Sequence, residues 1–325
     1  MFRKANAVPQ NTSNHILGIN IDSQRILLVY GNLSGLISER LEFASPSSAP
    51  FPAFLSELSS HADRLLMITQ AQRLPLPDVV SVSVAGNYDA KTGVVGSSLE
   101  FVQWRAESLR SQLELRFNLP VYAETKANAG MLAEILFGAT GSLSNAFYFT
   151  FTPRVRLSLL SEGQVYHNPG ATAGSIGKLR LSSSENLPEK TQTLNDVASG
   201  LGLLRLAQFR HPTHWDPDLQ LPDLLQSALD RDPFALEVID QAAAIFGSHL
   251  ECLVHSLRPE KIIIGHPFHL LGEAWLKPMT DALSQASGLG GGELSQIQAS
   301  ALGSRQPELE ALAPAIMALR GARER

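Results

Sequence analysis

LPVYAETKANAGMLAEILF, at residues 119–137, joins a short strand to a strong helix near the middle of the chain. Residues 119–123 predict the strand, and the run of Ala, Leu and Met over residues 127–137 predicts the helix. On each side of this stretch, strand hairpins are followed by alternating helices and strands. The sequence therefore predicts an α/β fold of two lobes with a cleft between them.

The half before this stretch opens with a predicted hairpin. Residues 16–30 are rich in Ile, Leu and Val, Gly31-Asn32 is a turn signal, and strand-like alternation resumes over residues 36–43. Two helices, predicted at residues 51–72 and 104–117, complete this half. A strand is predicted between them at residues 79–85.

The half after it repeats the order of hairpin followed by helices. Strands are predicted at residues 146–151, 155–160, 164–166 and 261–265. Helices are predicted at residues 194–209, 222–229, 233–256, 275–286 and 308–319, and residues 288–292 (GLGGG) are predicted to be a flexible loop.

Composition indicates a soluble globular protein. The 325 residues are 44% hydrophobic and 18% charged, and the formal net charge of -5 provides no global basic field, so direct nucleic-acid binding is not expected. No apolar run approaches the roughly 20 residues that cross a bilayer, and the first fifteen residues lack the apolar core of a signal peptide. With Cys252 as the single cysteine, the expectation is a cytoplasmic protein without disulfides or membrane contact.

Six segments, in this order, resemble the ROK family of repressors and sugar kinases. The middle stretch, with ETKANA, resembles the family pattern E-N-D-A-N-A, and the segment at 17–26 resembles the opening strand with D-x-G-G-T-K. The other matching segments are VSVAGNYDAKTGVV (82–95), NAFYFTFTPRVRLSLLSEGQVYHN (145–168), AGSIGKLRL (173–181) and PEKIIIGHP (259–267).

The resemblance implies the actin-like (RNase H-like) ATPase fold and a homodimer. It further implies an N-terminal lobe at 16–122 completed by the helix at 308–320, and a C-terminal lobe at 123–307. The polar composition of residues 1–15 predicts a flexible tail.

The catalytic and phosphate-binding residues that the family would place in the cleft are replaced. Lys126 stands at the position of the family's catalytic Asp, and a protonated lysine cannot accept the proton of a sugar hydroxyl. Phosphate loops depend on glycine, because backbone N–H groups must approach the oxygens closely. The degenerate first loop carries Asn20, Asp22, Ser23 and Gln24, and the degenerate second loop begins at Thr152 and Pro153 and has no glycine.

The sugar site implied by the resemblance is also degenerate. Ser175 and Lys178 replace the Glu and His of A-G-E-I-G-H, and Ser98 replaces an Asn. The remaining positions of this site are Gly86, Glu124, Thr125 and Asn128. The family's cysteine-bearing zinc loop is missing, and the nine histidines are dispersed, with His167 and the pair His211 and His214 expected in surface loops. We therefore expect no metal and no cofactor.

Three functions remain open from the sequence. The first is a non-catalytic regulatory or scaffolding protein on the ROK fold. The second is a relative of the ROK transcriptional regulators without a helix-turn-helix, since fifteen residues cannot hold one. The third is a divergent ATP-dependent sugar kinase, for which Glu124 and Asp22 would be the acidic candidates in the cleft.

Five positions that match ligand-binding sites of the family are basic in this acidic chain, and they suggest an anion site. These positions are Arg25, Lys126, Arg154, Arg156 and Lys178. If they converge on the cleft, they would bind a phosphorylated metabolite, a nucleotide phosphate or an acidic segment of a protein partner. The alternative is that Asp22, Glu100 and Glu124 pair with them and plug the cleft.

Overall fold

The structure is a computed structural model, and it describes residues 15–96, 100–104, 106–138, 143–168, 173–181, 186–289 and 295–323. The twelve strands in these ranges are β1 (His15–Ile21), β2 (Arg25–Asn32), β3 (Ile37–Ala44), β4 (Val79–Val84), β5 (Tyr88–Asp89), β6 (Val94–Val95), β7 (Val121–Thr125), β8 (Ala146–Thr150), β9 (Arg156–Ser161), β10 (Gln164–Val165), β11 (Lys261–Ile264) and β12 (Gln296–Ala299).

Ten α-helices lie in the described ranges. They are α1 (Phe51–Ala71), α2 (Leu109–Phe117), α3 (Lys126–Phe137), α4 (Asn195–Ala198), α5 (Gly200–Arg210), α6 (Leu221–Leu229), α7 (Pro233–Ser248), α8 (Glu251–Leu257), α9 (Glu273–Ser287) and α10 (Gln306–Arg323). Within these ranges, no helix is long and apolar enough to cross a membrane.

Two five-stranded sheets share one topology. The first has the order β3-β2-β1-β4-β7 and the second the order β10-β9-β8-β11-β12. In each, the first three strands in sequence form an antiparallel meander, and the last two are parallel to the first. Each half of the chain is thus a meander followed by helix–strand alternation, and the predicted α/β fold with two similar halves is confirmed.

Helices cover both faces of each sheet. One face of the first sheet packs around Phe54 and Trp104, and its other face packs against α10 through Ala311, Leu312 and Ile316. The second sheet packs on one side against α3, where Met131 meets Tyr148, and on the other against α7 and α9. Central strands such as β4 are buried along their whole length, as expected for parallel strands between two layers.

The lobe boundaries differ in one respect from those implied by the sequence. β7 pairs in parallel with β4 and belongs to the first sheet, so a boundary between residues 122 and 123 would cut through a strand. The helix expected at residues 308–320 lies within α10, which packs against β1, β2, β4 and β7. Of the tail at residues 1–15, only His15 is described, and it begins β1.

Several predicted elements are divided. The apolar run at 16–30 is two strands, because the chain turns between Ile21 and Arg25. The helix predicted at 194–209 is interrupted at Ser199, and that at 233–256 breaks after Ser248. The helix predicted at 104–117 begins at Leu109, and β12 was not predicted at all.

Candidate functional site

The candidate site lies where the carboxyl ends of both sheets meet. The parallel strands β1, β4 and β7 are followed directly by Asp22, Ala85 and Lys126, and β8 is followed by the loop that leads to Arg156. In open α/β sheets, this edge is where ligands bind. The resulting pocket has about 410 Å³ of space, part of it open to solvent. Its polar lining includes Glu100, Thr125, Lys126, Thr152, Arg154 and Arg156.

Lys126 and Asp22 form a buried ion pair at the base of the pocket. Thr125 caps α3, with its Oγ1 accepting the Asn128 N–H at 3.3 Å, and this places Lys126 in the first turn. The Lys126 Nζ donates to Asp22 Oδ2, and both residues are less than a tenth exposed. Burial alone would raise the pKa of Asp22, but the Lys126 ammonium and the Gln24 and Ser23 N–H groups outweigh it and lower that pKa.

This pair changes what the site can do chemically. A lysine held as an ammonium against a carboxylate has no lone pair with which to accept a substrate proton. The Asp22 carboxylate places negative charge in the turn where the family's glycine loop would receive phosphate.

The Asn20 side chain, assigned to the degenerate first phosphate loop, bonds to residues of α10. Its Nδ2 donates to the Pro307 carbonyl at 2.9 Å and to Glu310 Oε2 at 3.2 Å. Glu310 also accepts from the Tyr148 hydroxyl at 3.1 Å and from Gln306 at 2.7 Å. Burial raises the pKa of Glu310 despite these donors and the Lys126 charge. The network ties β1, β8 and α10 together.

The loop between β8 and β9 presents side chains instead of backbone amides. Arg154 Nε lies 3.2 Å from Glu100 Oε1, which belongs to the first half of the chain. Pro153 has no N–H, and the Val155 N–H is taken by Asn195 Oδ1 at 2.9 Å. Arg156 Nη1 donates to the Ser175 hydroxyl at 2.6 Å. Burial and the nearby Arg154 lower the pKa of Arg156, against the influence of Glu100.

The sugar side of the cleft contains a second contact between the halves of the chain. Glu124 Oε1 lies 2.8 Å from His167 Nε2, and Glu124 Oε2 accepts from Asn128 at 3.1 Å. The hydrogen bond to Glu124 raises the pKa of His167, while its burial acts in the opposite direction. Asn128 in turn accepts from the Ser158 hydroxyl at 2.9 Å. Gly86 has a φ of 86°, a conformation that favours glycine.

The structure brings together three of the five basic positions. Lys126, Arg154 and Arg156 line the pocket. Arg25 lies on β2 and pairs with Glu42 at 3.2 Å, and Lys178 is exposed and outside the pocket lining. Of the three carboxylates proposed as plugs, Asp22 and Glu100 pair with cleft cations, whereas Glu124 pairs with His167.

Ser23 and Gln24 of the first loop are not among the residues that line the pocket. Gln24 accepts the Ser45 N–H through its carbonyl at 2.9 Å, and the Ser23 hydroxyl lies 3.4 Å from Asp22. Ser98 lies outside the described residues.

Two residues were missed by the sequence reasoning. His167 lies in an exposed loop, as expected, but its pairing with Glu124 was not predicted; a histidine just after the second hairpin was the available signal. His266 follows β11, and burial together with Lys126 and His269 lowers its pKa well below the usual range. In the sequence, the position of His266 directly after a predicted buried strand was the available indication that it lies near the cleft.

The described residues offer no metal site. Within them, no three His, Cys, Asp or Glu side chains cluster as metal ligands would. The segment that replaces the family's zinc loop includes residues 182–185, which lie outside the described ranges. A tetrahedral zinc site needs four such ligands, so the residues at hand do not fit structural zinc.

Comparisons with known proteins identify relatives of two kinds, sugar kinases and transcriptional repressors. A profile of the ROK family matches residues 17–286. The chain is 25% identical to a glucokinase of Halalkalibacterium halodurans over 276 residues, covering 81% of this chain and 83% of the glucokinase. It is also 25% identical to the DNA-binding transcriptional repressor Mlc of Escherichia coli over 281 residues, 83% of this chain and 68% of the repressor.

Solved structures of both kinds share the fold. A ROK family glucokinase from Streptomyces griseus, in complex with glucose and AMPPNP, has a TM-score of 0.78 at 20% identity, covering 93% of this chain and 98% of the glucokinase. A ROK family transcriptional regulator, a homolog of the E. coli MLC protein, has a TM-score of 0.81 at 17% identity, covering 94% of this chain and 78% of the regulator. The chain therefore belongs to the ROK family and has its actin-like ATPase fold.

Proposed function

We propose that this chain is a non-catalytic ROK protein with a regulatory or scaffolding role. The single observation that carries the proposal is the buried Lys126–Asp22 ion pair. In this pair, Lys126 occupies the position of the general base, and Asp22 places a carboxylate in the phosphate loop. The Val155 N–H, bound to Asn195, supports the same conclusion for the second loop.

Phosphoryl transfer depends on features that this cleft lacks in the described residues. Catalysis is mostly positioning of the phosphates and stabilisation of their charge, with a carboxylate that accepts the substrate proton. Asp22 cannot take that role while Lys126 holds it as a salt bridge, and Glu124 is bound by Asn128 and His167.

The test is ATP consumption by the purified chain with a panel of hexoses. The H. halodurans glucokinase, prepared in parallel, is the positive control. We expect no hexose-dependent ADP formation. Turnover of even about 1 per second, a low ordinary value for an enzyme, would refute the proposal and favour a divergent sugar kinase.

A relative of the transcriptional regulators is the second candidate. The observation in its favour is that the similar proteins include Mlc and several xylose repressors as well as kinases. The chain spans 53% of the putative xylose repressor of Caldicellulosiruptor sp. and 50% of the xylose repressor of Bacillus subtilis. Salt-sensitive binding of the purified chain to duplex DNA would favour this candidate over a scaffold.

A further inference from the structure

Among the described residues, the pocket contains one positive charge more than its carboxylates neutralise. Lys126 pairs with Asp22 and Arg154 pairs with Glu100. Arg156 is the third cation, and within the described part of the chain it forms no ion pair; its hydrogen bond goes to the neutral Ser175 hydroxyl. The other groups that line the pocket are uncharged. The local charge is therefore about that of a single guanidinium.

Arg156 is held in position rather than free to move into solvent. It begins β9, opposite Thr150 in the antiparallel pair with β8, and it is half-buried. The hydrogen bond to Ser175 uses one terminal nitrogen and restrains the guanidinium. A fixed guanidinium with unused N–H groups matches the two oxygens of a carboxylate.

Hydroxyl groups surround this charge. Thr125 and Thr152 line the pocket, and Thr125 Oγ1 already accepts the Asn128 N–H, which leaves its proton available to a ligand. Such groups suit a ligand with hydroxyls of its own. The space of about 410 Å³ between the lining residues includes open solvent, so a ligand on Arg156 would lie in the open part of the cleft and not in an enclosed cavity.

The two carboxylates select against more highly charged ligands. Glu100, with a side chain 3% exposed, lies beside Arg154, and Asp22 lies beneath Lys126. A phosphate dianion or a triphosphate carries two or more negative charges, whereas the pocket has a single excess positive charge. The negative charges of the ligand that this positive charge does not neutralise would face the two carboxylates. Placing like charges next to one another in the cleft is unfavourable.

From this arrangement we propose that the cleft binds a small hydroxylated monocarboxylate, such as a sugar acid, with its carboxylate on Arg156. The inference rests on the proposed non-catalytic function, and it names the ligand class of the same cleft. The sugar acid would be sensed and not phosphorylated.

The test is calorimetric titration of the full chain with D-glucuronate and D-gluconate at low ionic strength. D-Glucose, glucose 6-phosphate and an Asp/Glu-rich peptide are titrated alongside. We expect the two sugar acids to bind and the others to bind at least about tenfold more weakly, and we expect added salt to weaken binding because the attraction is electrostatic.

Arg156→Ala should reduce the affinity for sugar acids by about tenfold or more, whereas Arg64→Ala, which removes an exposed guanidinium on α1, should not change it. Glu100→Gln is the decisive variant, because a gain of binding cannot come from misfolding. It removes the charge that opposes phosphate while keeping the side-chain shape, so glucose 6-phosphate should now bind.

Three results would overturn the inference. They are no binding of either sugar acid at millimolar concentration, unchanged binding to Arg156→Ala, and tighter binding of glucose 6-phosphate or the acidic peptide to the unaltered chain. ADP formation is measured on the same samples. Turnover would refute the non-catalytic proposal, while Arg156-dependent binding of a sugar acid would remain as evidence for the site.

Discussion

The Lys126–Asp22 pair makes a residue-level prediction about stability. Removing one partner leaves the other charge buried without compensation, which costs about 3–5 kcal/mol. Asp22→Ala and Lys126→Ala should each lower the free energy of unfolding by about that amount in urea denaturation. The double variant should be less destabilised than the two single losses combined. Arg25→Ala, which breaks an exposed pair with Glu42, should cost less than about 1 kcal/mol.

The same pair predicts how the free energy of unfolding depends on pH. Because the folded-state pKa of Asp22 is lowered, its contribution is present above the unfolded value of about 3.9 and is lost as pH falls through the folded pKa. The stability difference between the unaltered chain and Asp22→Asn should therefore be constant near neutral pH and shrink below about pH 4. A difference that grows on acidification would contradict the ion pair.

His167 should titrate above an ordinary histidine. Its pKa is raised mainly by the hydrogen bond to Glu124, so the stabilising contact is fully present below the unfolded value of about 6.5 and is lost as pH rises through the folded pKa. NMR titration of the His167 ring should show this raised pKa, and Glu124→Gln should lower it. An unchanged pKa in Glu124→Gln would mean that the contact does not form in solution.

At this scale, sequence could place residues at positions but could not orient them. The ETKANA match put Lys126 at the head of a helix in the cleft, and the structure agrees. Arg25 could not be oriented, because its direction depends on the pleat of β2 and on Glu42 of β3. The pairing of Glu100 with Arg154 joins residues from different halves of the chain, and no local pattern encodes it.

At the level of elements, the packing of α3 on β8 depends on a glycine. A Cβ at Gly130 would lie 2.3–2.5 Å from atoms of the Tyr148 side chain, which is fully buried and donates its hydroxyl proton to Glu310. Gly130→Ala should therefore destabilise the chain by about 1–3 kcal/mol through overpacking, although alanine is the better helix former.

The matched control is Gly321→Ala in α10. Among the described residues, no atom outside the adjacent residues and the local helix backbone lies within 4 Å of a Cβ built there, so this substitution should stabilise the helix by up to about 1 kcal/mol. Thermal unfolding of the two variants should move in opposite directions. Equal shifts would mean that helix propensity alone governs Gly130.

The sequence predicted whether a segment is a helix or a strand better than it predicted where each helix or strand begins and ends. Apolar periodicity identified α1, α3, α6 and α9 because each buries a continuous stripe. The break at Ser199 was invisible to periodicity, because Ser199 has an extended backbone and caps the next helix through Gly202. β12 is only partly buried at a sheet edge, and its QIQA sequence carries almost no strand signal.

At the level of the whole molecule, the homodimer remains a prediction from family resemblance. Light scattering of the purified chain at micromolar concentration should give about twice the mass of 35.2 kDa. The sample should retain that mass on tenfold dilution if the dimer is stable. A single species of monomer mass would contradict the prediction.

The position of α10 has a consequence for biosynthesis. One face of the first sheet is covered by this helix, and Asn20 bonds to Pro307, 287 positions later in the chain. At about 5–20 residues per second, a ribosome needs roughly 15–60 s to travel that far. During that time Ile16, Val29 and Val79 have no native cover, and the nascent chain presents an apolar sheet to chaperones. The lobe that is synthesised first is thus completed last.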